Sequence, residues 1–111
     1  MKISRIETIA FRYTSRIGRD AEGHAHPSEP HDAVQTLTGV ATDEGADGYC
    51  FGGNREMARL ANEILVGENP WDRERIWQRL RQYQRLAKTA LSDHNIGVLD
   101  MELWDLAGRV T

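Results

Sequence analysis

Apolar and polar side chains alternate at Ile9, Phe11 and Tyr13, the two-residue period of a half-buried strand, within a segment 2–13 rich in β-branched and aromatic types. Ile3 and Ile6 fall outside that period, which predicts a bulge or change of face near Arg5. Val34, Thr36, Thr38, Val40 and Thr42 alternate along a second strand. The turn-forming run Asp43–Gly48 then leads into a short third strand, Tyr49-Cys50-Phe51. Together these segments read as a three-stranded antiparallel meander. Between the first two strands, Thr14 to His31 holds three His, two Pro and two Gly without any period, and reads as a long loop.

Past Gly52-Gly53 the period lengthens to that of a helix. Asn54 is placed to cap a helix whose Met57, Leu60, Ala61, Ile64 and Leu65 share one face, and Gly67 is placed to end it. Asn69-Pro70 predicts the cap and first-turn proline of a second helix, with Ile76, Trp77, Leu80 and Tyr83 facing inward. Ser92 or Asp93 caps a last helix from about Ile96 to the end. Its Ile96, Leu99, Leu103 and Leu106 form one stripe, while Val98, Met101, Trp104 and Ala107 carry apolar surface around much of the remainder. A helix apolar on most sides should be covered on most sides. With the chain closing on Gly108-Arg109-Val110-Thr111, the expectation is that a further domain packs here. The fold class expected is therefore α+β, a meander followed by a small helical bundle.

Composition narrows the function classes. A chain of 111 residues suits one compact domain. Fourteen Lys and Arg against 17 Asp and Glu leave a net charge of −3, interspersed along the chain, which offers no broad attraction to nucleic acid or anionic membranes. The single cysteine, Cys50, excludes an intrachain disulfide and a cysteine-rich zinc site. No window approaches the ~20 apolar residues of a membrane span, and Met1–Arg5 leads into a strand without a signal-peptide run. A cytoplasmic protein is the expectation.

Three segments carry a family resemblance: the opening KISRIETIAF, the helix GENPWDRERIWQRL and the closing IGVLDMELWDLAGR. In order and spacing they resemble the N-terminal capping domain of the enolase superfamily, in its mandelate racemase and muconate lactonizing enzyme family. LWDLAGR is similar to the junction where that domain hands over to a barrel. The resemblance implies a capping domain over residues 1–96 and a junction helix over 97–111 leading to a (β/α)8 barrel absent from this chain. It further implies a parent enzyme, a lyase or isomerase, that abstracts the proton α to a carboxylate and holds the resulting anion on Mg²⁺. Acid-sugar dehydration is the favoured reaction, with racemisation or cycloisomerisation next. The bases and metal ligands would lie at the ends of barrel strands, so no catalytic or metal-binding residue is expected here. The implied partners are the barrel, a carboxylate substrate and further copies in a homo-oligomer, often an octamer.

In that family two loops of this domain form a lid. By position, Thr14–Asp32 resembles the first and Cys50–Asn54 the second, which makes Arg16, Arg19, His24, His26, His31, Cys50, Phe51 and Gly52 the candidate substrate-binding residues. Each has a plainer reading. His24, His26 and His31 lie in HAHPSEPH, where His-x-His with a third His could ligate zinc. They could equally donate to substrate hydroxyls, or simply face solvent. Arg16 and Arg19 suit carboxylate recognition or serve as surface charge. Cys50 reads as a structural thiol, Gly52-Gly53 as turn flexibility, Trp71, Trp77 and Trp104 as core or interface packing, and the run Arg73, Arg75, Arg79, Arg81 and Arg85 as a solvated face. Asp100, Glu102 and Asp105 do not match the family's ligand motifs. The rival from another class is a stand-alone interaction or metal-binding module built on the His-rich segment.

Overall fold

The computed structural model describes residues 1–111. Strands β1 (Ile3–Arg19), β2 (Ala25–Thr42) and β3 (Asp47–Phe51) precede helices α1 (Arg55–Leu65), α2 (Arg73–Gln84) and α3 (Asp93–Val110). The sheet order is β1-β2-β3 and every pairing is antiparallel, which gives the meander expected.

The irregularity expected near Arg5 is present as a register shift between Ile3 and Arg5. It lets both Ile3 and Ile6 face the helices, where each is fully buried. The outer edge of β1 is closed by neighbours from elsewhere. Asn62 of α1 accepts the Ile6 backbone N–H at 2.8 Å and donates its amide to the Ile6 carbonyl. Glu68 and Gly67 pair with the backbone of Ile3, both at 2.8 Å. These contacts satisfy backbone groups that an edge strand otherwise leaves to water.

The stretch Thr14–His31 is not a loop. β1 and β2 continue through it as a two-stranded ribbon and reverse only at Asp20–His24. The turn is tied by Asp20, whose Oδ1 accepts the N–H groups of Glu22 at 3.0 Å and His24 at 2.9 Å. Both faces of the ribbon are open to solvent over most of its length, so no apolar alternation marks it. Beyond Phe51 no third strand flanks β2, and Pro27 and Pro30 are tolerated along that open edge.

The core lies between one face of the sheet and the helices. Ile3, Ile6 and Val40 meet Met57, Ala61, Ile64 and Leu65 of α1, Ile76 and Leu80 of α2, and Ile96, Leu99 and Leu103 of α3. Each large apolar side chain so buried contributes about 1.5–3 kcal/mol. Asn54 caps α1 as predicted, accepting Met57 N–H at 2.8 Å. Ser92 caps α3, which begins at Asp93, about a turn earlier than the periodicity suggested.

Two expectations for α2 are corrected. Asn69 accepts Trp71 N–H at 2.9 Å in a separate turn, and the helix begins only at Arg73. Its inner stripe narrows to Ile76 and Leu80; Trp77 is 43% exposed and Tyr83 38%. Their rings are covered by guanidinium groups, Arg81 at 4.7 Å from Trp77 and Arg79 at 6.0 Å from Tyr83. Trp71 and Trp104 are also exposed, so none of the three tryptophans is a core residue.

α3 is one continuous helix, and residue 97 lies inside it. Its Ile96, Leu99, Leu103 and Leu106 are buried, and so is Val98, but Met101 and Trp104 remain exposed. This chain therefore covers two sides of α3 and leaves a third open. No helix is long and apolar enough to cross a membrane.

Candidate functional site

Because β3 runs antiparallel to β2, its final residue Phe51 stands beside Leu37 and, across β2, Ile9. The β3–α1 loop therefore emerges from the same end of the sheet as the ribbon formed by the distal parts of β1 and β2. The two segments expected to form a lid share one end of the molecule.

The β3–α1 loop is held firmly. Gly52 N–H donates to the Thr36 carbonyl at 2.8 Å, and the buried Thr38 Oγ1 donates to the Gly52 carbonyl at 2.6 Å. Gly52 and Gly53 have φ of 113° and 80°, conformations that L side chains rarely adopt. A Cβ on Gly53 would also stand 2.5 Å from Thr38 Oγ1 and 2.7 Å from Met57 Cε. Turn geometry thus accounts for the glycine pair.

Phe51 points to the helix-free face of the sheet, its ring centroid 6.3 Å from that of Phe11, which lies 6.3 Å from that of Tyr13. With Gln35 these rings line an open groove of about 350 Å³. Two further grooves meet at Phe51, one toward Tyr49, Asp105 and Arg109, the other toward His94, Val98 and Met101. Cys50 faces the opposite way and is half-buried, its thiol donating to the Phe51 carbonyl at 3.3 Å. Burial, with the Glu102 and Asp105 carboxylates adding to it, pushes the thiol pKa up, which keeps it protonated and poorly nucleophilic.

The remaining candidates lie along the ribbon. At its tip His26 Nε2 is 2.8 Å from Asp20 Oδ2, and His24 Nδ1 is 3.6 Å from the same oxygen and 3.7 Å from Glu22. The His26 hydrogen bond, followed by the His24 backbone N–H, holds the Asp20 carboxyl below its usual range. Arg19 donates to the Gly23 carbonyl at 2.9 Å. His31 sits farther back, paired with Ser15 in register, and Arg16 makes no ion pair. From Ile9, in the Phe51 row, to Arg19 is a run of strand about 30 Å long at the rise of ~3.3 Å per residue. The structure thus gathers Cys50, Phe51 and Gly52 at one place, and Arg19, His24 and His26 at another too distant for one small molecule to bridge.

No group of three or more His, Cys, Asp or Glu side chains could hold a metal ion, so the residues present do not fit Mg²⁺. The acidic residues of α3 are engaged otherwise. Asp105 accepts the Tyr49 backbone N–H at 2.8 Å and Arg109 Nε at 2.9 Å, and these bonds lower its pKa. Glu102 is buried against β3 with Oε1 unpartnered, and burial pushes its pKa to about 9. It therefore carries a proton at neutral pH. Glu102 falls midway between Val98 and Leu106 on one helical stripe, and that spacing was the available signal for its burial.

An antiparallel meander with a projecting ribbon, backed on one face by three helices, defines an α+β domain. No protein-family model and no curated protein matches the sequence. Solved structures do. D-glucarate dehydratase from Agrobacterium tumefaciens, complexed with magnesium, is 38% identical over 99% of this chain with a TM-score of 0.87; the match covers 30% of that chain. A member of the enolase superfamily from Polaromonas sp. JS666 is 24% identical over 99% of this chain and 31% of its own, at a TM-score of 0.67. A mandelate racemase/muconate lactonizing enzyme is 22% identical over 98% of this chain and 32% of its own, also at 0.67. The chain thus shares its fold with members of the enolase superfamily, including a mandelate racemase/muconate lactonizing enzyme, is 38% identical to the dehydratase over the shared domain, and spans about a third of those chains.

Proposed function

We propose that this chain is the capping and specificity domain of a Mg²⁺-dependent enolase-superfamily enzyme that abstracts the α-proton of a carboxylate substrate, most specifically an acid-sugar dehydratase. The observation that carries the reading is the placement of the ribbon and the β3–α1 loop at one end of the sheet, where both can reach over a neighbouring surface. The 38% identity to a D-glucarate dehydratase favours dehydration over racemisation or cycloisomerisation.

In this reading residues 1–96 form the cap and the later part of α3, 97–111, leads to a (β/α)8 barrel. Mg²⁺ and the bases would be held by that barrel, where the ion would supply electrostatic stabilisation of developing negative charge. This chain's own contribution is to exclude water and shape the entrance. Phe51 and Gly52 supply a fixed apolar wall, and the ribbon with Arg16, Arg19, His24, His26 and His31 supplies a longer arm. Excluding water strengthens the electrostatics inside a closed site. The isolated chain has no turnover. The test is an assay of the parent protein with Mg²⁺ against a panel of acid sugars, beside the 111-residue chain alone. Dehydration by the parent only is expected; dehydration by the isolated chain, or none by the parent, overturns the proposal.

A further inference from the structure

Exposed aromatic rings occur in two different settings. Four lie beside an arginine: Trp104 under Arg73 at 3.5 Å, Trp77 under Arg81 at 4.7 Å, Tyr49 near Arg109 at 5.5 Å and Tyr83 near Arg79 at 6.0 Å. A guanidinium stacked on a ring shields one face while keeping charge in water, which suits a solvated surface. On the helix-free face of the sheet only Tyr49, at the β3 rim, has such a partner. Ile9 is 52% and Phe51 59% exposed, Phe11 and Tyr13 are exposed beside them, and no guanidinium covers any of the four.

Register makes these residues one patch. Ile9, Leu37 and Phe51 form a row across the three strands, and the pairs Phe11–Gln35 and Tyr13–Ala33 continue it along the same face. The three rows contain no charged side chain. All helices pack on the opposite face, against Ile6 and Val40. Contiguous uncovered apolar surface of this kind marks an interaction site. Depletion of charge at the centre is the character of permanent rather than transient interfaces.

We infer that the Ile9–Phe11–Tyr13–Phe51 face is where this domain seats on the remainder of its own parent chain, in preference to the Trp77-bearing face of α2. The inference rests on the capping-domain reading. Two observations select that occupant over a second copy or a separate protein. The solved relatives devote most of their length to structure outside this fold, since the match covers 30% of the dehydratase. The patch is also continuous, through the groove lined by Phe51, Val98 and Met101, with the uncovered side of α3, the element that leads toward residue 111.

Hydroxyl-radical footprinting tests this on the active parent protein and the 111-residue chain side by side. Modification of Phe11, Tyr13 and Phe51 should fall about fivefold in the parent, as half-exposed rings become interface core, while Trp77 reacts equally in both. Equal modification of the three rings in an active parent overturns the assigned face and leaves the capping function standing. Protection in the 111-residue chain that grows with its concentration also overturns it, because the occupant is then a second copy.

Discussion

Gly48 of β3 lies against the backbone carbonyl of Glu102 in α3, so close that a Cβ at position 48 would run into it and stand 2.7 Å from Leu106 N. Strand and helix meet backbone to backbone there, and neither can yield as a side-chain end would. Gly48→Ala should therefore lower stability by about 1–3 kcal/mol, the usual cost of forcing volume into a packed seam. A urea midpoint shifted down without a change in slope is the expected result.

The same seam carries a proton. The Glu102 pKa of about 9 in the folded protein stands far above its ordinary value of 4.5. Between those limits the unfolded chain releases the proton while the folded chain keeps it, so stability falls as pH rises through that window and levels off above it. Cys50 and Asp105 are the other acidic groups beside it, and the β2 residues of the inner sheet face, Thr36, Thr38 and Val40, carry no charge. Glu102→Gln and Glu102→Met should flatten the dependence, gaining most stability over the parent sequence near pH 8 and little near pH 5. Denaturation curves at the two pH values check this.

Thr38 anchors the β3–α1 loop through its 2.6 Å bond to the Gly52 carbonyl. Thr38→Val keeps the shape and removes the donor, leaving that carbonyl with one partner fewer at a cost of about 1–3 kcal/mol. Faster amide exchange confined to residues 51–54, with the α1 amides unchanged, is the expected local signature.

The meander, the bulge at Arg5 and the faces of α1 and α3 were legible in the sequence because each pairs a buried side with a wet one. The ribbon was not. Thr14–Arg19 and Ala25–Asp32 pair through their backbones with both faces largely open to solvent, so their side chains carry no apolar period to record the strand. Trp77 and Tyr83 misled in the opposite sense: helical spacing placed them on an apolar stripe, but arginines from the same helix shield them at the surface. Asn62 left no signal, since its role as a neighbour for the Ile6 backbone depends on a contact 56 residues away. At the candidate site the sequence singled out the two segments proposed as a lid. It gave no measure of the distance between Phe51 and the His24–His26 tip, which follows only from the unbroken run of β1.

Removal of the arm is the most direct test of the lid. In the parent enzyme, residues 14–31 would be replaced by a two-residue turn joining Tyr13 to Asp32, away from the core and from every helix. The deletion should leave the thermal midpoint nearly unchanged and lower kcat/KM for the acid-sugar substrate at least about tenfold, as expected when closure over a site is lost. An intact fold with unchanged kcat and KM would contradict the capping role assigned to this domain.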